Sequence, residues 1–216
     1  MKISYETLLS HRGFTLIEML LVIGIIAVLI GAGIGGYTGA IRAAQRAQGN
    51  ELVHDVQVAL VQLLQKKGAW TPSILAEGAS GNGQMKEGVM AELVKNNVLS
   101  GTIEEKVNED GTKTVRMTGL DKFGILSPWA AAVVKQRINS SSLGEQTKIP
   151  SGGQLSDHRL RFSVDDDYDG ICKVSVSQRG GESAEVRASA CVWCCGYDGK
   201  FGTKDDIYSW AKAQEK

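Results

Sequence analysis

A long apolar run near the N-terminus constrains this chain more than any other feature. From Met19 to Gly36 no residue is charged or strongly polar. At a rise of ~1.5 Å per residue, roughly 20 such residues let a helix cross the ~30 Å hydrocarbon core of a bilayer. We therefore predict one membrane-spanning helix over residues 14–37. Lys2 and Arg12 precede the run, which favours a cytoplasmic N-terminus.

A cleavable secretory signal is the alternative interpretation of this run. Such signals have a shorter apolar core that is followed by a small-residue cleavage site. The small residues from Gly31 to Gly36 imitate a site of this kind, but the apolar run before them is long. The length of the run favours a helix that is retained in the protein.

One charge, Glu18, lies near the beginning of the apolar segment. A carboxylate in this position is costly in lipid and usually marks a function. The residues around it read RGFTLIE over positions 12–18. This order, followed by the apolar run, resembles the signal of type IV prepilins and of the pseudopilins of type II secretion.

The resemblance carries specific expectations for the N-terminus. In that family a prepilin peptidase cuts after the glycine on the cytoplasmic side, and the new N-terminal residue is methylated. This implies a leader of residues 1–13, cleavage between Gly13 and Phe14, and N-methylation of Phe14. A buried charge needs an opposite charge, so the Phe14 amine of a neighbouring subunit is expected to pair with Glu18. That pair would set the axial register as subunits join a helical filament.

The chain departs from the family pattern in the later part of the apolar segment. Many members carry a proline there, whereas residues 31–36 read GAGIGG. Because each glycine weakens a helix by ~1 kcal/mol, this run can serve as a flexible or melted portion of the helix in a filament. Close packing of helices through small residues is the other interpretation.

Helical spacing continues beyond the apolar segment. We expect an amphipathic continuation over residues 38–68 that presents an apolar stripe to a globular domain over 69–216. Lys66 and Lys67 suit a helix C-terminus, and Gly68 suits the cap beyond it. The residues of the stripe are Leu52, Val53, Val56, Leu60, Leu63 and Leu64.

The rest of the chain predicts an α+β fold, in which one long helix packs on a small antiparallel sheet, as in a pilin-like fold. A short helix is expected from Glu87 to Asn97, and a hairpin over 102–118 with its turn at Asp110-Gly111. Trp129 is expected in the core. The expected strands are 158–164, 171–177 and 185–193, and the expected loops or irregular segments are 69–87, 121–128 and 139–156.

An acidic loop near the C-terminus predicts a structural calcium site. Calcium takes about 6–8 oxygen ligands, and glycines in this loop let carbonyl groups turn inward. The loop resembles the C-terminal calcium loop of the major pseudopilin of type II secretion, which implies further ligands from the carbonyl groups of Lys200 or Gly202. A solvated turn without metal is the alternative. The carboxylates of the loop are Asp198, Asp205 and Asp206.

A second acidic stretch, DDDYDG over residues 165–170, begins like an EF-hand loop. Its twelfth position is Val176, so the bidentate glutamate of an EF-hand is missing. This absence favours a strand-to-strand turn over a strong metal site.

Four cysteines lie close together near the C-terminus. If this region is exported, disulfides can form, and four cysteines allow three pairings. Adjacent cysteines make a strained pair, so we expect Cys172 to pair with one of the others. A four-cysteine zinc site is the alternative, although it lacks the usual second C-x-x-C, and a redox motif has nothing thioredoxin-like around it. The candidates are Cys172, Cys191, Cys194 and Cys195.

Composition and motifs favour a structural subunit over an enzyme or a nucleic-acid-binding protein. The chain has 24 basic and 24 acidic side chains, which gives no basic face for nucleic acid. It has no phosphate-binding loop and no nucleophile–base–acid arrangement, and His11, His54 and His158 are assigned no chemistry. An exported, membrane-tethered enzyme is the competing class.

The resemblance implies a major-pseudopilin-like subunit of a type II secretion pseudopilus that supports protein export. A minor or major type IV pilin acting in adhesion, motility or DNA uptake is the alternative. Expected partners are other copies of the chain, prepilin peptidase, other pseudopilins and the inner-membrane assembly platform. The expected location is the inner membrane, with a single pass and the C-terminal domain in the periplasm.

Overall fold

The computed structural model describes residues 15–108, 110–111, 113–117, 123–136, 144, 146–150, 152–175 and 183–210. The predicted leader 1–13, Gly13 and Phe14 lie outside the described residues, as do the side chains of 32–36. The chain divides into two compact units, Met1–Arg42 and Ala43–Lys216.

Helix α1, Leu16–Lys67, begins in the first unit and ends in the second. Its end is where the sequence predicts it. The N–H of Gly68 donates to the carbonyl of Leu64 at 2.7 Å, and Gly68 has φ +75°, the left-handed conformation that closes many helices. The sequence also predicts a membrane-spanning segment over 14–37. Within the described ranges, no helix combines the length and the apolarity that crossing a membrane requires.

The second unit contains short β-strands. The strands are β1 Gly83–Gln84, β2 Ile103–Val107, β3 Lys113–Met117, β4 Arg161–Val164, β5 Cys172–Ser175, β6 Ser183–Val186, β7 Ala190–Cys194 and β8 Ile207–Tyr208. Four of them form an antiparallel sheet in the order β1-β4-β7-β8, and β2-β3 and β5-β6 form two separate antiparallel pairs. This mixture of helix and small antiparallel sheets confirms the α+β, pilin-like class.

The predicted apolar stripe of α1 forms the centre of the main core. Val53, Val56, Leu60 and Leu63 are almost completely buried, whereas His54 on the same helix is exposed. They join a cluster that includes Leu93, Phe162 and Val192 from the other elements of this unit. Burial of apolar side chains at helical spacing therefore holds this half of α1 to its domain.

Gly49 allows α1 to approach the C-terminal strand closely. A Cβ atom at this position would overlap the side chain of Ile207 in β8 and would contact Pro128. The sequence alone indicated no role for Gly49, because the contact that requires a glycine here is with residues distant in the chain.

Several local expectations are confirmed. Helix α3, Glu87–Lys95, begins where it is predicted, and Asn96 and Asn97 follow it as its terminal residues. The β2-β3 hairpin lies within 102–118 and pairs Ile103 with Met117. Trp129 is buried.

Other expectations are wrong. The predicted loop 69–87 contains α2, Pro72–Gly78, and β1, because proline suits the first turn of a helix. A proline likewise begins helix α4, Pro128–Gln136, which was not predicted. The predicted exposed loop 139–156 contributes Ile149 and Leu155 to a second apolar cluster.

Strand boundaries also differ. The predicted strand 185–193 is two strands, β6 and β7, separated by a bend at residues 187–189. The predicted strand 158–164 begins only at Arg161, because Leu155–His158 form a 3₁₀ helix. In the predicted strand 171–177, residues 172–175 are β5, and 176–177 lie outside the described residues.

Candidate functional site

Glu18 lies in the first turn of α1 and is hydrogen-bonded to the residue that caps the helix. Its Oε2 accepts from the backbone N–H and from the hydroxyl of Thr15, both at 2.8 Å. In return, Thr15 Oγ1 accepts from the N–H of Glu18 at 3.3 Å. This reciprocal arrangement is a capping box, which satisfies N–H groups that have no partner inside the helix.

Sequence reasoning predicted Glu18 as a functional residue but missed its capping role. The signal was present, because Thr15 and Glu18 have the T-x-x-E spacing of a capping box. The positive end of the helix dipole also favours a carboxylate there. The capping box therefore gives the carboxylate a fixed position at the beginning of α1.

Large, exposed apolar residues precede and follow Glu18 in the chain. Leu16 is 83% exposed and Ile17 is 73% exposed. Exposed apolar residues continue along the helix at Leu20, Leu21, Ile23, Ile25, Val28, Leu29 and Ile30. A contiguous apolar surface of this extent marks an interaction site for lipid or for another protein.

The C-terminal acidic loop is organised around Asp206, which is almost completely buried. Its Oδ2 accepts from the N–H groups of Gly202 at 2.6 Å and Thr203 at 3.1 Å, and from the Tyr208 hydroxyl at 3.0 Å. Its Oδ1 accepts from the N–H of Gly196 at 3.2 Å. Burial raises the pKa of the Asp206 carboxyl, although these hydrogen bonds oppose that rise.

Three acceptor oxygens of this loop meet at one hydroxyl group. Thr203 Oγ1 lies 2.6 Å from Asp205 Oδ1, 3.1 Å from Asp206 Oδ1 and 3.3 Å from the Lys200 carbonyl oxygen. A threonine hydroxyl has one hydrogen, so it cannot satisfy all three acceptors at once. This excess of oxygen acceptors fits a hard cation such as calcium.

The predicted ligand Asp198 has a different role in the described geometry. Its Oδ1 accepts from the N–H of Lys200 at 2.9 Å, and its own N–H donates to Asp205 Oδ2 at 3.3 Å. It therefore shapes the Asp198-Gly199 turn, while Asp205 and Asp206 approach the oxygen-rich point at Thr203. A Cβ at Gly196 would overlap the Asp205 carboxylate, so only glycine allows this approach.

The stretch 165–170 forms the expected turn between β4 and β5, and its carboxylates come close together. The ligand oxygens of Asp165, Asp167 and Asp169 all lie within 4.8 Å of one another, the one such acidic group among the described residues. Asp165 accepts from the N–H groups of Asp169 and Gly170, and Asp167 forms an ion pair with Lys173 at 3.3 Å. These partners account for the cluster as a hydrogen-bonded turn.

A buried histidine, to which sequence reasoning gave no chemistry, lies beneath the C-terminal loop. His158 Nε2 is 2.8 Å from the Gly152 carbonyl, and its Nδ1 is 2.8 Å from Ser127 Oγ and 3.3 Å from Cys195 Sγ. A carbonyl only accepts, so Nε2 carries the proton and the neutral ring leaves Nδ1 as an acceptor. Burial lowers the pKa of His158.

The four cysteines are all buried, and all four are free thiols. Cys172 and Cys191 share one apolar cluster, Cys194 belongs to the main core, and Cys195 contacts His158. Within the ranges that the structure describes, no three of these thiols meet as a metal-binding group. The four-cysteine zinc site is therefore not assembled.

Comparison with known proteins supports the interpretation of the N-terminus. Residues 8–34 match the family model described as the prokaryotic N-terminal methylation motif, which is the prepilin signal of type IV pilins and pseudopilins. Neither the curated proteins nor the solved structures gave a match.

The match supports a type IV pilin-like or pseudopilin protein and does not distinguish between the two. Its signal implies processing by prepilin peptidase, anchoring in a membrane before assembly, and assembly into a filament.

The buried position of His158 predicts a loss of stability in acid. Its folded pKa is lowered from about 6.5, so the unfolded chain binds the proton more readily and stability falls as pH drops below about 6.5. Thermal unfolding of the detergent-purified full chain between about pH 5 and pH 8 should show this slope, and His158→Gln should reduce it. The exposed His54→Gln variant should keep it. An unchanged slope in His158→Gln would contradict the assignment.

Proposed function

We propose that this protein is a structural subunit of a type II secretion pseudopilus, of the major-pseudopilin kind. The observation that carries the proposal is the prepilin-type signal at residues 8–34 on a chain of α+β fold. The acidic loop at residues 196–210, which resembles the calcium loop of major pseudopilins, favours a pseudopilin over a type IV pilin. In this proposal the chain is cut between Gly13 and Phe14, and Phe14 is methylated.

Glu18 acts in assembly through its charge. Before assembly, its carboxylate is held by the two donors of Thr15 at the beginning of α1. When a subunit joins the filament, the Phe14 amine of a neighbouring copy brings a positive charge to this carboxylate inside an apolar environment. An ion in such an environment is costly unless it is paired. The pair therefore selects the one axial position at which the amine and the carboxylate meet.

The exposed apolar residues of α1 between Leu16 and Ile30 provide the surface for this assembly. In the membrane they contact lipid, and in the filament they contact the same segment of other copies. Addition of subunits at the membrane base then extends the filament and helps to push exported proteins outward. A separate cytoplasmic ATPase supplies the energy.

Variants of Glu18 separate its charge from its capping role. Glutamine can replace glutamate in a capping box, so Glu18→Gln keeps the cap and loses the charge, whereas Glu18→Leu loses both. Both variants should lower the yield of sheared filaments by at least about tenfold, because a buried charge pair is broken. Protein export to the medium should fall in parallel.

The matched control is Glu51→Gln, which changes an exposed acid later in the same helix and should assemble normally. Filament yields from Glu18→Gln equal to those of the unaltered chain would contradict the role of the charge. Loss of surface motility with export unchanged would assign the filament to the type IV pilus class.

We also propose a structural calcium ion in the C-terminal loop. Asp205, Asp206 and the Lys200 carbonyl are its nearest protein ligands, since their oxygens converge on Thr203. Asp198 remains a predicted ligand, with its observed contacts confined to the turn. Calcium would supply the positive charge that the single hydroxyl hydrogen cannot provide, and it would order the loop.

Calcium should therefore stabilise the folded chain. At a calcium concentration of about 100 times Kd the expected gain is ~2.7 kcal/mol, measured as a higher thermal midpoint than in chelator. Asp205→Asn should abolish this shift. Asp167→Asn, in the acidic turn between β4 and β5, is the control and should keep it. A shift that is absent in the unaltered chain, or that Asp205→Asn retains, would contradict a site in this loop.

A further inference from the structure

Two of the four thiols lie in one apolar cluster, where β5 packs beside the inner strands β4 and β7 of the main sheet. Cys191 in β7 lies opposite Ser163 in β4, and the Cys172 thiol in β5 lies 3.6 Å from the Ser163 carbonyl oxygen. The neighbouring Cys172 thiol also raises the pKa of the Cys191 thiol. Both cysteines are completely buried in one apolar cluster, with Val174, Val186, Trp193 and Trp210.

The alternation of β7 separates the other two thiols from this pair. Successive residues of a strand point to opposite faces. Accordingly, Ala190, Val192 and Cys194 belong to the main core, whereas Cys191 and Trp193 belong to the cluster that contains Cys172. Cys195 follows the strand and lies 3.3 Å from His158 Nδ1. Neither Cys194 nor Cys195 belongs to the cluster of Cys172.

We propose that Cys172 and Cys191 form a disulfide bond that ties β5 to β7, and that Cys194 and Cys195 remain thiols. In the reaction the two thiols lose two protons and two electrons, and one sulfur–sulfur bond forms. A disulfide oxidant, either a thiol–disulfide oxidoreductase or glutathione disulfide, accepts the electrons and is reduced to two thiols. The proposal rests on the proposed function only for the compartment, because disulfides persist outside a reducing cytoplasm.

Burial determines when this bond can form. The thiolate is the nucleophile in disulfide exchange, and the neighbouring Cys172 thiol together with burial raises the pKa of Cys191 in the folded chain. A fully buried thiol is also inaccessible to an oxidant. We therefore expect the bond to form while the chain folds, and expect oxidation of the folded, reduced chain to be much slower.

Peptide mapping tests the pairing directly. The full chain, purified in detergent, is reduced in denaturant, refolded in detergent with glutathione disulfide, and then unfolded with its remaining thiols alkylated. Trypsin cuts after Arg161, Lys173, Arg187 and Lys200. The expected product is peptide 162–173 linked to peptide 188–200, with two alkylated cysteines in the second peptide.

Serine variants assign the partner within peptide 188–200. The linked product should disappear in Cys191→Ser and should persist in Cys194→Ser and Cys195→Ser. Reduction of the linked chain should lower its thermal midpoint by roughly 10 °C, from the loop that the bond closes. The same reduction should leave the thermal midpoint of the Cys191→Ser variant unchanged.

Two results would overturn the proposal. One is alkylation of all four cysteines in the refolded, unaltered chain, and the other is a linked product that survives in Cys191→Ser. Refolding supplies its own oxidant and needs no export or filament, so failure here counts against the disulfide alone. The proposed filament function would stand or fall with the Glu18 variants.

Discussion

The placement of a single carboxylate, Glu18, at the beginning of an apolar helix underlies both the structure of the N-terminus and the function proposed for it. Once the exposed leucine and isoleucine residues that precede and follow it are covered by lipid or by other copies, Glu18 would be unfavourable without a partner. The capping box with Thr15 stabilises it in the single chain at 2.8 Å. In the proposed assembly, the amine of an arriving subunit would offer the opposite charge that the cap lacks, and the carboxylate would then act as a recognition group as well as a cap.

The second unit depends on other interactions, because its strands are short. Three features stabilise it. The apolar stripe of α1 fills the main core around Leu60 and Leu63, the Asp206 carboxylate gathers backbone N–H groups of the C-terminal loop, and His158 connects that loop to its neighbours. Gly199 leaves room for the hydrogen bond between His158 and the Gly152 carbonyl. A Cβ at Gly199 would lie 2.8 Å from His158 Nε2 and 2.6 Å from the Gly152 carbonyl oxygen. Hydrogen bonds from buried polar side chains thus connect segments that the short strands do not connect by backbone pairing.

Local signals explain what the sequence predicted well. Lys66, Lys67 and Gly68 mark the end of α1, and the turn at Asp110-Gly111 marks the β2-β3 hairpin, because each depends on residues that are adjacent in the chain. Two short helices were missed although Thr71-Pro72 and Ser127-Pro128 signal their first turns. The bend at 187–189 contains no glycine or proline, so one strand was expected where two exist.

Non-local contacts explain what could not be predicted. The proximity of Cys172 to Cys191 depends on how β5 and β7 are arranged beside β4, which no local pattern encodes. The convergence of Asp205, Asp206 and Lys200 on Thr203 likewise depends on the path of the loop. Sequence reasoning identified the residue types of both sites, but the choice among four cysteines and among three aspartates required coordinates.

The intact mass of the protein isolated from membranes tests the central claim most directly. The account predicts a chain that has lost residues 1–13 and gained one methyl group, with that group on the amine of Phe14. A mass that retains Gly13 joined to Phe14, or a cut elsewhere in the apolar segment, would contradict it. Without a free amine at Phe14, the charge of Glu18 would have no partner of the proposed kind.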